Sequence, residues 1–196
     1  MVDSTVKYYN ENAKKYYDNT VEADVTELYK PFIKHLKSGA SILDAGCGSG
    51  RDSLFFKNKG YKVTAFDGSD EMVRLSSELL DQDVLLLRFE DVNFPPIFDG
   101  IWACSSLLHV ARENLASVIN KLAAGLKVGG VFYMSFKYGN REFTKDGRYF
   151  NCMDEDYFEE MMSKIPELEI ESLHITEDVR PGRATEMWLN AYVVKV

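Results

Sequence analysis

Cysteine and histidine are both scarce in this chain of 196 residues, which has three of each. The cysteines, Cys47, Cys104 and Cys152, are odd in number, lie far apart and form no C-x-x-C pair. This usage favours reduced thiols in a cytoplasm over a disulfide framework. So few thiols and imidazoles also supply no ligand set with the spacing of a structural zinc site. We therefore predict a cytoplasmic protein that holds no metal.

Positive charge and long apolar runs are also lacking. The chain has 23 Lys and Arg residues against 31 Asp and Glu residues, for a formal net charge of -8. A broad nucleic-acid interface is disfavoured, because phosphate binding needs clustered Lys and Arg. No apolar run approaches the roughly 20 residues of a membrane-spanning helix, and residues 1–10 have no signal-peptide pattern. We expect a small-molecule partner and a monomer or homodimer.

What is present is the composition of an ordinary globular protein, 45% hydrophobic and 28% charged. The length suits one domain with a complete core. Helical periodicity in residues 4–18 and 25–36 precedes an alternation of strands and helices, which indicates an α/β fold with a parallel sheet and helices on both faces. The predicted strands are 41–45, 62–67, 84–89, 99–105, 129–137, 169–176 and 186–195, and the predicted helices among them are 50–59, 70–80, 112–126 and 154–164. The continuous apolar run of residues 84–87 predicts a strand covered on both sides.

The turn Gly46-Cys47-Gly48-Ser49-Gly50 connects the first predicted strand to a helix. Gly48 and Gly50 permit backbone angles that a side chain forbids, and they leave room for a ligand against the main chain. Free N–H groups at the start of a helix attract an anionic ligand group. The turn therefore predicts a ligand site at the carboxyl end of a strand, where open α/β sheets bind their ligands.

Two acids narrow the class of ligand. Asp44 stands two residues before Gly46, where a carboxylate suits a ligand with positive charge and suits a pyrophosphate badly. The G-x-G-x-G spacing also differs from the G-x-G-x-x-G of dinucleotide sites. Asp67 ends the second predicted strand, where an acid accepts hydrogen bonds from ribose hydroxyls. Together these features resemble the class I S-adenosylmethionine-dependent methyltransferases, and the alternative is a Rossmann-like domain with another cofactor.

The resemblance covers about residues 40–137, and Gly50-Arg51-Asp52-Ser53 is similar in particular to the tellurite-resistance type. It implies one Rossmann-like domain with a seven-stranded sheet of order 3-2-1-4-5-7-6, mostly parallel with the last strand antiparallel. It also implies an N-terminal helical lid (1–38) over a core (39–196), and S-adenosyl-L-methionine as cofactor. The residues implied for cofactor binding are Asp44, Gly46, Cys47, Gly48, Gly50, Arg51, Asp67, Gly68, Glu90, Asp91, Cys104, Ser105 and, from the lid, Tyr17.

Some of these roles have a plain structural alternative. The lid tyrosines Tyr8, Tyr9, Tyr16 and Tyr17 touch cofactor or substrate in one interpretation and only pack in the other. Asp91 meets the adenine, or it begins the following loop as an Asx turn.

His109 follows the fourth predicted strand at the mouth of the expected site. Its imidazole titrates near neutral pH, so His109 is the candidate general base. The alternative is that His109 caps or packs against the next helix.

Five residues near the ends of the last strands are the candidates for substrate binding: Lys137, Tyr138, Arg148, Arg180 and Arg183. In Arg180-Pro181-Gly182-Arg183, proline and glycine are expected to fix the turn and so to hold two guanidinium groups in place. Cations there favour an anionic substrate such as a carboxylate, phosphate or oxyanion. The alternative is a surface loop whose arginines are solvated or paired with Glu177 and Asp178.

The function predicted from these features is methyl transfer to a small acceptor by in-line displacement, which depends on positioning and on exclusion of water. The cations near the last strands favour an anionic acceptor. A tRNA or protein methyltransferase is one alternative. A cofactor-binding regulatory domain without turnover is another. A nicotinamide oxidoreductase requires a pyrophosphate site, which Asp44 and the glycine spacing oppose.

Overall fold

A computed structural model describes residues 2–180, 182–183 and 185–196. Its described residues form six α-helices and nine strands. The helices are α1 Val2–Thr20, α2 Thr26–Ile33, α3 Arg51–Asn58, α4 Asp70–Leu80, α5 Arg112–Ala124 and α6 Glu155–Met162. The strands are β1 Ser41–Ala45, β2 Lys62–Asp67, β3 Leu85–Leu86, β4 Phe98–Ala103, β5 Leu126–Lys137, β6 Glu142–Lys145, β7 Arg148–Asn151, β8 Leu168–Glu177 and β9 Met187–Lys195.

Seven strands form one sheet of order β3-β2-β1-β4-β5-β9-β8. β1 pairs in parallel with β2 and β4, and β9 runs antiparallel to β5 and β8. The predicted order is confirmed, since β9 and β8 correspond to the predicted seventh and sixth strands. The parallel arrangement brings the carboxyl ends of β1, β2 and β4 to one edge, where loops from different parts of the chain meet.

Alternating side chains divide the core between the two faces of the sheet, because successive residues of a strand point to opposite sides. On one face, Trp102 of β4 stacks on Tyr133 of β5 with ring centroids 3.9 Å apart, and Phe32 of α2 packs edge-on at 5.0 Å. On the other face, Ile101 and Phe132 are buried with the apolar side of α5. Burial on both faces holds the strand ends in fixed relative positions.

The apolar run at residues 84–87 does not form the doubly covered strand that its composition predicts. Only Leu85 and Leu86 are paired, and β3 is the edge of the sheet. Their side chains are 41% and 61% exposed. The prediction was wrong because a continuous apolar run indicates a strand inside the sheet, whereas this two-residue strand lies at the edge and stays exposed.

A second sheet of two strands, β6 and β7, lies in residues 138–153, a segment that is predicted to be a loop. Asp146 and Gly147 form its turn with φ of 53° and 78°, the left-handed conformations that a two-residue hairpin turn requires. The backbone N–H of Tyr149 donates to Thr5 Oγ1 at 3.1 Å, which joins the hairpin to α1. The hairpin and α1 therefore form one continuous cover.

A close approach in the core gives a test of the packing. A Cβ on Gly100 of β4 would lie 2.7 Å from Phe32 Cζ. We expect Gly100→Ala to lower the free energy of unfolding by about 1–3 kcal/mol, because the buried ring has to move. Urea denaturation measures the loss, and the double variant with Phe32→Leu should recover part of it. Equal stability of Gly100→Ala and wild type would contradict this packing.

Candidate active site

A cavity of about 840 Å³ opens at the carboxyl ends of the parallel strands, beneath α1 and the β6–β7 hairpin. Fifteen of the nineteen predicted site residues line it. These are Gly46, Cys47, Gly48, Arg51, Asp67, Gly68, Glu90, Cys104, Ser105, His109, Lys137, Tyr138, Arg148, Arg180 and Arg183. The other four do not line it: Asp44, Gly50, Asp91 and Tyr17.

The glycine turn has the backbone that its composition predicts. Gly46, Gly48 and Gly50 have φ of 76°, 53° and 80°, which glycine adopts without steric cost. A Cβ on Gly46 would lie 2.6 Å from Ser106 Cβ, so only glycine fits there. Gly50 is the N-cap of α3 and faces Ser76 of α4, not the cavity.

Three N–H groups at the start of this turn, those of Gly46, Cys47 and Gly48, are bonded inside the protein. Gly46 and Cys47 both donate to the carbonyl oxygen of Phe66, at 2.9 and 3.0 Å. Gly48 donates to Asp67 Oδ2 at 2.9 Å. The first half of the turn is thus shaped by its hydrogen bonds to β2.

Asp67 lies at the end of β2 and lines the cavity. Its Oδ1 accepts from the N–H of Ser69 at 2.9 Å, so the two carboxylate oxygens bridge the glycine turn and the start of α4. Burial raises the pKa of Asp67, and these backbone donors oppose the rise. Each oxygen keeps a further lone pair, which suits a pair of ligand hydroxyls.

Asp44 does not reach the cavity, because it points into the protein beneath the turn and is 2% exposed. Its Oδ2 accepts from the hydroxyl of Ser53 at 2.6 Å. Burial raises the pKa of Asp44, and the neighbouring Asp52 carboxylate raises it further. The structure thus gives Asp44 a structural position and removes it from the ligand-facing carboxylates.

Asp52, which sequence reasoning missed, is the centre of a buried network. It accepts from Tyr29 Oη at 2.6 Å, from Trp102 Nε1 at 2.8 Å and from Arg51 Nε at 2.6 Å. Burial alone would raise the pKa of Asp52, but Arg51 and these donors hold it below its usual value. The network uses Nε and Nη2 of Arg51 and holds the guanidinium at the cavity wall.

The loop after β4 is strained at the cavity. Ser105 has φ 54°, which is uncommon for a residue with a side chain. Its N–H donates to Ser135 Oγ of β5 at 2.8 Å, which holds the conformation. Burial raises the pKa of the adjacent Cys104 thiol to about 11, so the thiol stays neutral.

Glu90 and Asp91 lie in a short 3₁₀ helix, Phe89–Asp91, where successive side chains point in different directions. Glu90 lines the cavity, whereas Asp91 does not and is exposed. The structure therefore favours Glu90 over Asp91 as the polar group at this end of the site.

Helix α1 contributes Tyr9 and Tyr16 to the cavity, and not Tyr17. Tyr16 lies 3.4 Å from the position of a Cβ on Gly48, so its ring covers the glycine turn. Tyr17 packs, as Tyr16 does, against the cluster that contains Met72 and Leu75 of α4, but it does not line the cavity. Neighbours on a helix differ by about a quarter turn, so only one of the pair faces inward.

His109 is half-buried between α1 and the hairpin, with both ring nitrogens engaged. Nε2 lies 2.8 Å from Tyr9 Oη, and Nδ1 lies 2.7 Å from the carbonyl oxygen of Tyr149. Burial lowers the pKa of His109 to about 4, with the nearby Arg148 and Lys137 charges in the same direction. His109 is therefore neutral at physiological pH.

Most of the predicted substrate cations are paired with acids. Arg180 binds Asp178 through Nε at 2.9 Å and also through Nη2, while Lys137 pairs with Glu186. Arg183 lies 3.7 Å from Glu186, and Tyr138 donates to Glu155 at 2.9 Å. The alternative of paired arginines thus holds for Arg180 and Asp178. Pro181 lies outside the described residues, so its predicted part in the turn stays a prediction.

Two further findings concern metal ions and membranes. Among the described residues, no cluster of three or more His, Cys, Asp or Glu side chains is placed to hold a metal ion. Every described helix is too short or too polar to cross a bilayer.

Comparison with known proteins gives the class. Residues 42–130 match the family model described as "Methyltransferase domain". The chain is 28% identical over 123 residues to the "Probable S-adenosyl-L-methionine-dependent methyltransferase TehB" of Haemophilus influenzae, covering 60% of this chain and 41% of that protein. It is 31% identical over 122 residues to an uncharacterized methyltransferase of Staphylococcus carnosus, covering 58% and 59%. The chain thus spans about two to three fifths of these relatives.

A solved structure resembles the whole fold. The Burkholderia thailandensis 1,6-didemethyltoxoflavin-N1-methyltransferase, with bound S-adenosylhomocysteine, has a TM-score of 0.78 and 20% identity. The match covers 97% of this chain and 85% of that one. Residues 42–130 thus resemble a methyltransferase domain, and the fold is that of the class I S-adenosylmethionine-dependent methyltransferases, whose cofactor is S-adenosyl-L-methionine. Within that class it resembles the TehB type.

The two neighbouring buried acids give a matched test. Asp52→Asn should lower the free energy of unfolding by about 3–5 kcal/mol, because Arg51 loses its buried partner. Asp44→Asn should cost less than about 1 kcal/mol at neutral pH, since an amide replaces a carboxyl whose pKa burial has raised. Urea denaturation of both variants measures the difference, and equal losses would contradict the assignment.

The raised pKa of Asp44 also predicts that the stability of the protein depends on pH. The pKa of Asp44 is raised on folding above the unfolded value of about 3.9. The unfolded state therefore releases this proton first, and the contribution of Asp44 to stability is lost as the pH rises through its folded pKa. We expect the free energy of unfolding of the wild type to include a fall from Asp44 between about pH 5 and about pH 8, and that of Asp44→Asn to lack this fall.

Proposed function

We propose that this protein transfers a methyl group from S-adenosyl-L-methionine to a small acceptor bound in the same cavity. The single observation that carries the proposal is the arrangement around Asp67. Its half-buried carboxylate accepts hydrogen bonds from the glycine turn and from the start of α4, and it lines a cavity that polar and aromatic side chains also line. The proposal assigns residues 1–38 to a lid and residues 39–196 to the catalytic core.

The residues around the turn fit the cofactor. Asp67 supplies acceptors for the ribose hydroxyls, and Glu90 a polar group for the adenine end. Arg51 is a charge-assisted donor for the carboxylate of the methionyl group, because Nη1 takes no part in its bonds to Asp52. Gly46, Cys47, Gly48 and Gly68 supply close main-chain contact, and Cys104 and Ser105 border the methyl-bearing end. The sulfonium supplies an activated methyl group when the cofactor is bound.

The cover over the cavity supports a small acceptor. Thr5, Val6 and Tyr9 of α1 line one side, and Phe143, Arg148 and Phe150 of the hairpin line the other. A covered site excludes water from the transfer step and positions the acceptor, which are the main demands of an in-line displacement. A folded nucleic acid or protein would have to displace this cover. The three thiols, all free of disulfides, favour a cytoplasmic location.

Cofactor binding tests the first half of the proposal. We expect S-adenosylhomocysteine to bind with a micromolar Kd, and Asp67→Ala to weaken it about 10- to 100-fold through the lost ribose contacts. Isothermal titration calorimetry measures both, and Asp70→Ala, which removes an exposed acid three residues away, is the matched control. Tight binding of NADH without binding of S-adenosylhomocysteine would instead favour the oxidoreductase.

Turnover tests the second half against a regulatory domain that only binds the cofactor. We expect S-adenosylhomocysteine to form from S-adenosylmethionine when small thiols, phenols or amines are supplied, at a rate above the acceptor-free rate. Mass spectrometry identifies the methylated product. Saturable cofactor binding with no product from any of these acceptors would support the regulatory alternative.

A further inference from the structure

Tyr9 and His109 form a hydrogen-bonded pair whose proton positions follow from their partners. The Tyr149 carbonyl oxygen accepts only, so the proton on the His109 ring is on Nδ1. Nε2 then carries a lone pair, and the hydroxyl of Tyr9, 2.8 Å away, donates to it. The oxygen of Tyr9 keeps its own lone pairs, and Tyr9 lines the cavity.

This arrangement changes the predicted role of His109. Both of its ring nitrogens are engaged, so the imidazole has no lone pair left for an acceptor. Tyr9 Oη is the atom of the pair that can accept a proton from a bound molecule. His109 acts behind it, as the group that takes up the proton which Tyr9 donates.

Arg148 places positive charge beside this pair. Its guanidinium packs 4.2 Å from the Tyr8 ring centroid and 5.2 Å from that of Phe150. Its nearest acid, Asp146, is 3.7 Å away, and its buried Nε has no hydrogen-bond partner among the described residues. Arg180 and Lys137, by contrast, are held by Asp178 and Glu186. An unpaired buried donor is costly, so this position is suited to a ligand oxygen.

Aromatic rings shape the space in front of these groups. Phe143 stacks on Phe150 with centroids 5.0 Å apart, and Phe150 lies 5.1 Å from the His109 ring. With Tyr9 and Tyr16, they give the cavity flat apolar walls. Such walls favour a flat ring, oriented by a few convergent polar groups.

We propose that Tyr9, His109 and Arg148 form an acceptor subsite for a flat compound with a phenol or enol hydroxyl, in which Tyr9 is the catalytic residue and His109 positions it and receives its proton. This subsite rests on the proposed methyl transfer. Its three residues come from α1, from the loop after β4 and from the hairpin, which meet only in the folded chain.

The step balances in atoms and charge. The acceptor oxygen forms a bond to the methyl carbon as the carbon–sulfur bond breaks and its electron pair stays on sulfur. The acceptor proton passes to Tyr9 Oη, and the Tyr9 proton passes to His109 Nε2, which releases it to water at once because the pKa of His109 is lowered in the fold. The imidazolium appears as the sulfonium charge is lost, so the charge inside the site is conserved during the transfer. Arg148 stabilises the negative charge that develops on the acceptor oxygen.

Phenol and thiophenol are the matched probes, because they have the same shape and thiophenol is largely ionised near neutral pH whereas phenol is not. We expect Tyr9→Phe to lower kcat for phenol by about 100-fold or more and kcat for thiophenol by less than about 3-fold. His109→Gln, which keeps an acceptor for Tyr9 but takes up no proton, should give the same split. Tyr17→Phe, on the same helix but outside the cavity, is the control and should change neither rate.

A measurement without turnover checks the pair directly. In the nitrogen NMR spectrum, His109 should show a protonated Nδ1 and an unprotonated, hydrogen-bonded Nε2, and Tyr9→Phe should shift the Nε2 signal while Tyr17→Phe leaves it in place. Arg148→Met should weaken binding of phenol in calorimetry while binding of S-adenosylhomocysteine is kept.

The outcomes separate this subsite from the general proposal. Equal losses for both probes in Tyr9→Phe, or no loss for either, would overturn the proton relay while methyl transfer stands. Methylation of thiophenol alone by the wild-type protein would do the same. Binding of S-adenosylhomocysteine without binding or methylation of phenol would overturn the acceptor class. Failure to bind S-adenosylhomocysteine would overturn the proposed function itself.

Discussion

The carboxylate of Asp52 is the constraint on which the site depends. It lies in the interior, and its charge is tolerable there only because donors from three elements converge on it: Tyr29 of α2, Arg51 of α3 and Trp102 of β4. Any shift of one element relative to the others leaves a buried charge with a missing partner. The network therefore fixes the helix that follows the glycine turn against the strand whose end borders the cavity.

The sheet and the glycine turn could be predicted because their signals are local. Backbone angles in residues 46–50 depend on glycines that are close in sequence. The order of the strands follows from the resemblance to a known family over about residues 40–137. The hairpin had a local signal as well. Asp146-Gly147 between Glu142–Lys145 and Arg148–Asn151 is a two-residue hairpin turn, and treating the segment as a loop overlooked it.

Other features depend on contacts between distant parts of the chain, which no local pattern records. The partners Tyr9 and His109 are 100 residues apart, and Thr5 and Tyr149 are 144 residues apart. The sequence shows that cations lie near the last strands, but it does not show their partners. Only the fold pairs Arg180 with Asp178 and leaves the Nε of Arg148 without a hydrogen-bond partner among the described residues. Likewise, the choice of Tyr16 over Tyr17 depends on how α1 is rotated about its axis.

The selectivity of the turn for its ligand also has a different origin from the one that the sequence suggests. Asp44 was expected to oppose a pyrophosphate by its charge, yet it is buried and its pKa is raised by burial. The stronger obstacle is that the N–H groups of Gly46, Cys47 and Gly48 are already bonded to Phe66 and Asp67. A pyrophosphate would find these three donors already used, next to a carboxylate. A ligand whose hydroxyls donate to Asp67, and whose single carboxylate reaches Arg51, requires none of those N–H groups, so the same hydrogen bonds that shape the turn also select against a dinucleotide.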